Sequence, residues 1–225
     1  VKIDYAEVRA LLRQSRSGAL GTHSVAMPGF PFVSAVPFVA DASGRPVFLI
    51  SGLAEHTRNL LADPRASLLV TDGEGVSLAQ ARLTLLGRVQ PVDLDEASRQ
   101  RYVRYSPESA LYLELGDFRF FRLEPDKARF VGGFGRMGWV AAEAPAAVLG
   151  PDAEAAVVAR LERQVPPGVA VVGIDREGLD VRIGGVLRRL ALPPTDGSAA
   201  ALESAAGAIL LGLEAPPAAG DSNLA

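Results

Sequence analysis

The chain has 225 residues, no cysteine, two histidines and a formal net charge of −3. That charge argues against a general nucleic-acid binder, and the missing cysteine excludes disulfides, thiol catalysis and thiolate-ligated zinc. His23 and His56 show no HxxxH or HExxH spacing, so no metal site is predicted. No apolar run reaches the roughly 20 residues of a membrane span, and the opening Val1-Lys2-Ile3-Asp4-Tyr5 does not make a signal peptide. The expectation is a cytoplasmic protein with no membrane partner.

In chain order, Asp4 caps a helix to about residue 16, with Val8, Leu11 and Leu12 inward and Glu7, Arg9 and Arg13 outward. A strand at 19–23, a Pro-Gly loop at 27–31 and a second strand at 32–39 follow, Pro37 marking an edge or a bulge. After a turn at 41–44 the strand 47–50 returns to make a hairpin. Ser51-Gly52 break that strand, and a short helix runs from Leu53 or Ala54 to the residue before Asp63-Pro64. Its apolar face is predicted to be Leu53, Leu60 and Leu61, with Glu55, Arg58 and Asn59 pointing away and His56 on the flank. A strand at 66–71, a polar loop at 72–80 and a long strand at 82–92, with Leu83, Leu85 and Val89 on one face, come next.

A helix over 93–105 is capped by Asp93 or Asp95, and Ser106-Pro107-Glu108 starts another. Strands at 118–123 and 128–131 flank a turn at 124–127. Hairpins dominate, so the fold class is α+β, a six-stranded antiparallel β-barrel with flanking helices rather than a βαβ sheet. The pattern then changes. The barrel domain is placed at 1–142, a linker at 143–151, a small αβββα domain at 152–215 and a frayed tail at 216–225. In the small domain Asp152 caps a helix to about residue 164, and strands at 169–174, 179–183 and 186–192 form a meander before a helix over 198–213. Asp180, Arg182, Arg188 and Arg189 would make one sheet face a charged surface, either solvated or docking a partner.

Four motifs carry possible chemistry. His56-Thr57-Arg58-Asn59 at the start of a helix beside two strands reads either as a phosphate anchor or as a solvated helix face. Gly133-Phe134-Gly135-Arg136-Met137-Gly138 has GxGxxG spacing, but no βαβ unit follows, so a turn that lets backbone approach a ligand is the better reading. Ser51, His56 and Asp63 lack the GxSxG elbow of a hydrolase. Phe118, Phe120 and Phe121 between Arg119 and Arg122 read as core on one face and charge on the other.

Several segments together resemble a family. Pro31-Phe32-Val33-Ser34, Leu53-Ala54-Glu55-His56-Thr57-Arg58-Asn59-Leu60, Asp63-Pro64-Arg65-Ala66-Ser67 and Arg82-Leu83-Thr84-Leu85-Leu86-Gly87 are similar to the FMN-binding split-barrel proteins related to pyridoxamine 5′-phosphate oxidase. Asp117-Phe118 and Gly132-Gly133-Phe134-Gly135 narrow the resemblance to the haem-utilisation, HugZ-type branch, and the last ~70 residues are similar to the small domain often fused to that branch. The resemblance implies a homodimeric split barrel with FMN at the subunit interface. By position, His56, Thr57, Arg58 and Asn59 would hold the phosphate, Ile50 and Ser51 would line the flavin, Ser34 would lie near its edge, and Arg82 would stand at a polar flavin contact.

It implies an FMN-dependent oxidoreductase of unknown small-molecule substrate, with no catalytic residue named. The alternatives are a haem-binding or haem-degrading protein, or a non-catalytic regulatory protein on the same fold. Two departures stand out. Ala54 and His56 occupy positions where the oxidases carry Ser and Lys, and no histidine follows His56, whereas HugZ-type haem binding uses one near the C-terminus; His23 is the other candidate ligand.

Overall fold

A computed structural model describes residues 3, 5–73, 80–133, 135–141 and 147–213. Asp4 as a cap, the loop segment 74–79, Phe134, residues 142–146 of the linker and the tail from 214 lie outside the described residues. Contacts divide the chain into two compact units, Val1–Ala147 and Val148–Ala225.

The first unit opens with helix α1 (Tyr5–Gln14), which buries Val8, Leu11 and Leu12 as its spacing demands. Arg13 was expected outside and is buried instead. Its guanidinium reaches the carbonyls of Ala40 and Ala42, at 3.2 and 2.9 Å, and so satisfies a turn that would otherwise leave acceptors unpaired. Strands β1 (Ser17–His23), β2 (Pro31–Pro37), β3 (Val39–Ala40) and β4 (Pro46–Ser51) follow, then α2 (Glu55–Ala62), β5 (Arg65–Thr71) and β6 (Ala81–Pro91). Helices α3 (Glu96–Tyr105) and α4 (Ser109–Leu113) precede β7 (Phe118–Gly132) and β8 (Met137–Ala141). Asp95 is the cap of α3, its carboxylate accepting from the Ser98 N–H at 2.8 Å.

The strands form one antiparallel sheet in the order β2-β1-β5-β6-β7-β4-β3, with β8 added beside β7. It curls around a core that includes Leu20, Phe48, Leu68, Leu83, Leu85, Phe121 and Leu123. This is the expected α+β split barrel, with six long strands and two short ones. Three local expectations change. The hairpin foreseen between the second and third strands survives only as Val39↔Val47 and Ala40↔Pro46, because β2 pairs along its whole length with β1. The strands foreseen at 118–123 and 128–131 are one strand, β7; the turn between them is a bulge where Pro125 faces Gly87. Phe120 and Phe121 are both buried: Phe121 enters the barrel core, and Phe120 meets the Tyr102 ring of α3 edge-on at 5.2 Å.

The GxGxxG segment turns β7 into β8. Gly133 and Gly135 have φ of 95° and 76°, and the Gly132 N–H donates to the Arg136 carbonyl at 2.8 Å. Such φ values suit glycine alone, and they make a hairpin rather than a dinucleotide loop.

The second unit has α5 (Pro151–Leu161), the meander β9 (Val169–Ile174), β10 (Gly178–Ile183) and β11 (Val186–Ala191), and α6 (Ala199–Leu211). Gly150, not Asp152, is the N-cap of α5, with Pro151 in the first turn where its missing N–H costs nothing. Val157, Leu161, Val171, Leu179, Val181, Leu202 and Ala206 make its core. Arg189 and Asp180 were foreseen on a charged surface, yet both are buried. The guanidinium sits 2.5 Å from Asp175 and 3.0 Å from Asp180.

Candidate functional site

The sheet ends on β2 at one side and on the two-residue β3, beside β4, at the other; β2 and β4 do not pair with one another, and the split in the barrel lies between them. A cavity of about 390 Å³ opens there. Val36 and Pro37 form one wall, and Leu49, Ile50 and Ser51 the facing one. His56 and Ala54 come from the start of α2, and Tyr102, Glu108, Tyr112 and Phe118 come from α3, α4 and the beginning of β7. Tyr112 stacks on Phe118 with ring centroids 5.0 Å apart, giving the cavity a flat aromatic side. Among the described residues no arginine or lysine lines it.

His56 stands in the first turn of α2. Its Nδ1 lies 3.1 Å from Ser34 Oγ, which projects inward from β2. Its Nε2 is buried and has no hydrogen-bond partner. Burial pushes the imidazole below its ordinary pKa, so the ring is neutral at pH 7. Ser51 closes the end of β4: its hydroxyl donates to Asp117 at 2.5 Å and accepts from the Leu53 N–H at 3.1 Å. Burial likewise pushes the Tyr102 phenol up, so it stays protonated.

Four of the residues singled out in the sequence, Ser34, Ile50, Ser51 and His56, are therefore brought together at the split. The others are not. The Thr57 hydroxyl donates to the Ser51 carbonyl at 2.7 Å. Asn59, expected to point away from the core, is 0% exposed: its carbonyl oxygen accepts from Val25 N–H at 2.9 Å and its amide donates to Thr22 at 3.0 Å. Conversely Leu53 and Leu61, expected inside, are 75% and 63% exposed. The face of α2 that meets the sheet is Thr57, Leu60 and Asn59, because satisfied polar groups can replace apolar ones in a core. Arg58 is exposed, its guanidinium on the Leu53 carbonyl at 2.8 Å and on Glu55 at 3.4 Å.

Arg82 stands opposite Val131, near the far end of β7 from the cavity residue Phe118, and its Nη1 is buried without a partner. Sequence reasoning missed Glu108, Tyr112 and Asp117 as walls or supports; Asp117-Phe118 was noticed for family resemblance, but nothing local ties Asp117 to Ser51. His23 lies apart from the split, at a shallower cavity of about 450 Å³ lined also by Val33, Leu86, Arg65 and Arg88. Both arginines are paired, Arg65 with Asp63 at 2.5 Å and Arg88 with Asp126 at 3.1 Å. Among the described residues no His, Asp and Glu cluster could hold a metal ion, and no helix is long and apolar enough to cross a membrane.

Comparison with known proteins bears on this geometry. The CREG β-barrel family model matches residues 4–146. The chain is 39% identical over 133 residues to the non-canonical haem oxygenase HOZ, chloroplastic, of Arabidopsis thaliana, covering 56% of this chain and 40% of that protein. It therefore spans less than half the length of that relative. It is 32% identical over 138 residues to the haem oxygenase HutZ of Vibrio cholerae, covering 58% of this chain and 77% of that one. A solved haem-binding protein from Mycobacterium smegmatis superposes with a TM-score of 0.59 at 29% identity, over 94% of this chain and 98% of the other. The chain belongs to the CREG β-barrel family, with haem oxygenases among its homologues.

Proposed function

We propose that the barrel unit binds haem and serves in haem turnover, as its homologues' names indicate for them. The observation that carries this reading is the chemistry of the split: an apolar, aromatic-walled cavity with one neutral imidazole and no basic side chain. Val36, Leu49, Ile50 and the stacked Tyr112–Phe118 pair suit a flat apolar macrocycle, whose carboxylates would face outward. When bound, haem would supply the redox chemistry; the chain supplies the walls, the orientation and the exclusion of water. The lack of cysteine fits work in a reducing compartment such as the cytoplasm.

The residues do not fit a flavin phosphate. Thr57 and Asn59 spend their polar groups inside the protein, Arg58 folds over its own helix start, and the carboxylate of Glu108 lines the cavity. A dianion placed there would meet no cation and at least one like charge. The test is a parallel titration of the full chain with ferric haem and with FMN. A saturable Soret band and unquenched flavin fluorescence are expected; flavin binding without haem uptake would overturn the reading.

The barrel is also proposed to pair with a second copy. In register across the sheet, Ala35, Ala19, Leu69, Thr84, Arg129 and Trp139 form one outward row. Leu69 and Trp139 are exposed, as are Val33 and Leu86 in the next row, and exposed apolar surface of this extent marks a contact. Sedimentation at micromolar concentration should give a dimer, and Trp139→Glu a monomer.

A further inference from the structure

The three-stranded sheet of the small unit ends on β9 at one side and on β11 at the other, and the chain treats these two edges differently. On β9 the Val171 N–H donates to the Glu162 carboxylate at 2.6 Å, and the Ile174 N–H donates to Glu154 at 3.3 Å. Side chains from α5 and the turn after it therefore close that edge. The β9–β10 pairing also shifts register between Asp180 and Val181, and such a bulge spoils an edge for further pairing.

β11 has neither device. Gly184-Gly185 make a two-residue turn closed by the pair Ile183↔Val186, and further along the same ladder the Leu192 N–H donates to the Glu177 carbonyl at 3.0 Å. Hydrogen bonds alternate along an antiparallel pair, so the N–H and C=O of Leu187, Arg189 and Ala191 point away from β10. Among the described residues no group meets them. Arg189 is half-buried although its side chain is only 7% exposed, so what it shows to solvent is main chain. β11 contains neither proline nor glycine to blunt it.

The side chains at this edge choose the partner. Val186, Arg188 and Leu190 project to one face, since neighbours along a strand alternate. Val186 is 57% exposed, and Arg188 is exposed with no ion pair among the described residues, whereas Arg189 is consumed by Asp175 and Asp180. A second copy would bring another Arg188 to the same seam, like charge to like.

We propose that β11 is the docking edge for an extended acidic segment of a partner protein, which adds to the small sheet as a fourth strand. Main-chain hydrogen bonds to Leu187, Arg189 and Ala191 hold the segment, apolar residues of it lie beside Val186 and Leu190, and a carboxylate between them meets Arg188.

The experiment titrates the full chain with a short synthetic peptide, capped at both ends, that alternates threonine and valine around a central glutamate, read by residue-resolved amide exchange. In the free chain the Leu187, Arg189 and Ala191 amides should exchange fast and those of Arg188 and Leu190 slowly; the peptide should slow the first set. A peptide with lysine at the centre should bind about fivefold more weakly, and Arg188→Glu should reverse that preference. Ala191→Pro removes an outward N–H without touching the ladder to β10 and should weaken the glutamate peptide about fivefold, with the thermal midpoint unchanged. No saturable binding at millimolar peptide, or a preference for glutamate that survives Arg188→Glu, would overturn the proposal. Self-association of the native chain that Ala191→Pro abolishes would make a second copy the occupant and overturn it as well.

Discussion

The two units bury polar groups in opposite ways. In the small unit, Arg189 is held by Asp175 and Asp180, and Asp180 is 1% exposed. Burial alone would pull that guanidinium down in pKa, and the two carboxylates more than offset it, so it stays charged. At the barrel split, His56 keeps a buried nitrogen with no partner, three residues from Asn59, whose amide is satisfied on both atoms. A closed polar network serves the fold; an open one on the same short helix points to something the fold does not contain.

The largest break in that contrast should come from Arg189→Ala. It removes the guanidinium that Asp175 and Asp180 share inside the small unit and should destabilise that unit by about 3–5 kcal/mol, read from urea unfolding. Removing both partners, as in Arg189→Met with Asp180→Leu, should cost much less; an equal loss in the two variants would mean that the charge is not what matters. Next, Asn59→Ala leaves the Val25 N–H unmatched and takes a donor from the Thr22 hydroxyl, which keeps its own bond to the Phe32 carbonyl, and should cost about 1–3 kcal/mol of barrel stability. Asp95→Ala removes the cap of α3 and should cost about 1 kcal/mol, visible as a lower thermal midpoint.

The smallest effect is the pH slope. Burial lowers the folded-state pKa of His56, so the unfolded chain takes the proton first. Barrel stability should be complete above the ordinary histidine pKa of about 6.5 and fall as the pH drops below it, through the folded value. His56→Gln should remove that part of the slope, and an identical slope in the variant would show that the ring is not buried in solution.

Periodicity made most of the barrel legible. Leu83, Leu85 and Val89 alternate, and they are buried on the inner face of β6 as that alternation requires. Where reading failed, a tertiary partner had replaced a local rule. Pro125 looked like a turn because the sequence does not reveal that Gly87 lies across from it. Leu61 looked like core, and Asn59 like surface, because hydrophobicity was counted without the acceptor and donor that Thr22 and Val25 bring from β1 and the loop after it. At the site, His56 was found by its place at a helix start after a strand and Ser51 through the family resemblance, but the phosphate role assumed that Thr57, Arg58 and Asn59 were free. Whether a polar side chain is already committed depends on residues that are distant in sequence.

The bulge between β6 and β7 also sets a length. Fifteen residues of straight strand would reach roughly 50 Å, whereas a compact unit of this size is roughly 40 Å across. β7 must therefore bend, and it bends where a Cβ on Gly87 would lie 2.1 Å from the Glu124 carbonyl oxygen. Any side chain at 87 would force the strands apart at that point and unroll the sheet, so the curvature that creates the split depends on a hydrogen atom standing where every other residue has carbon.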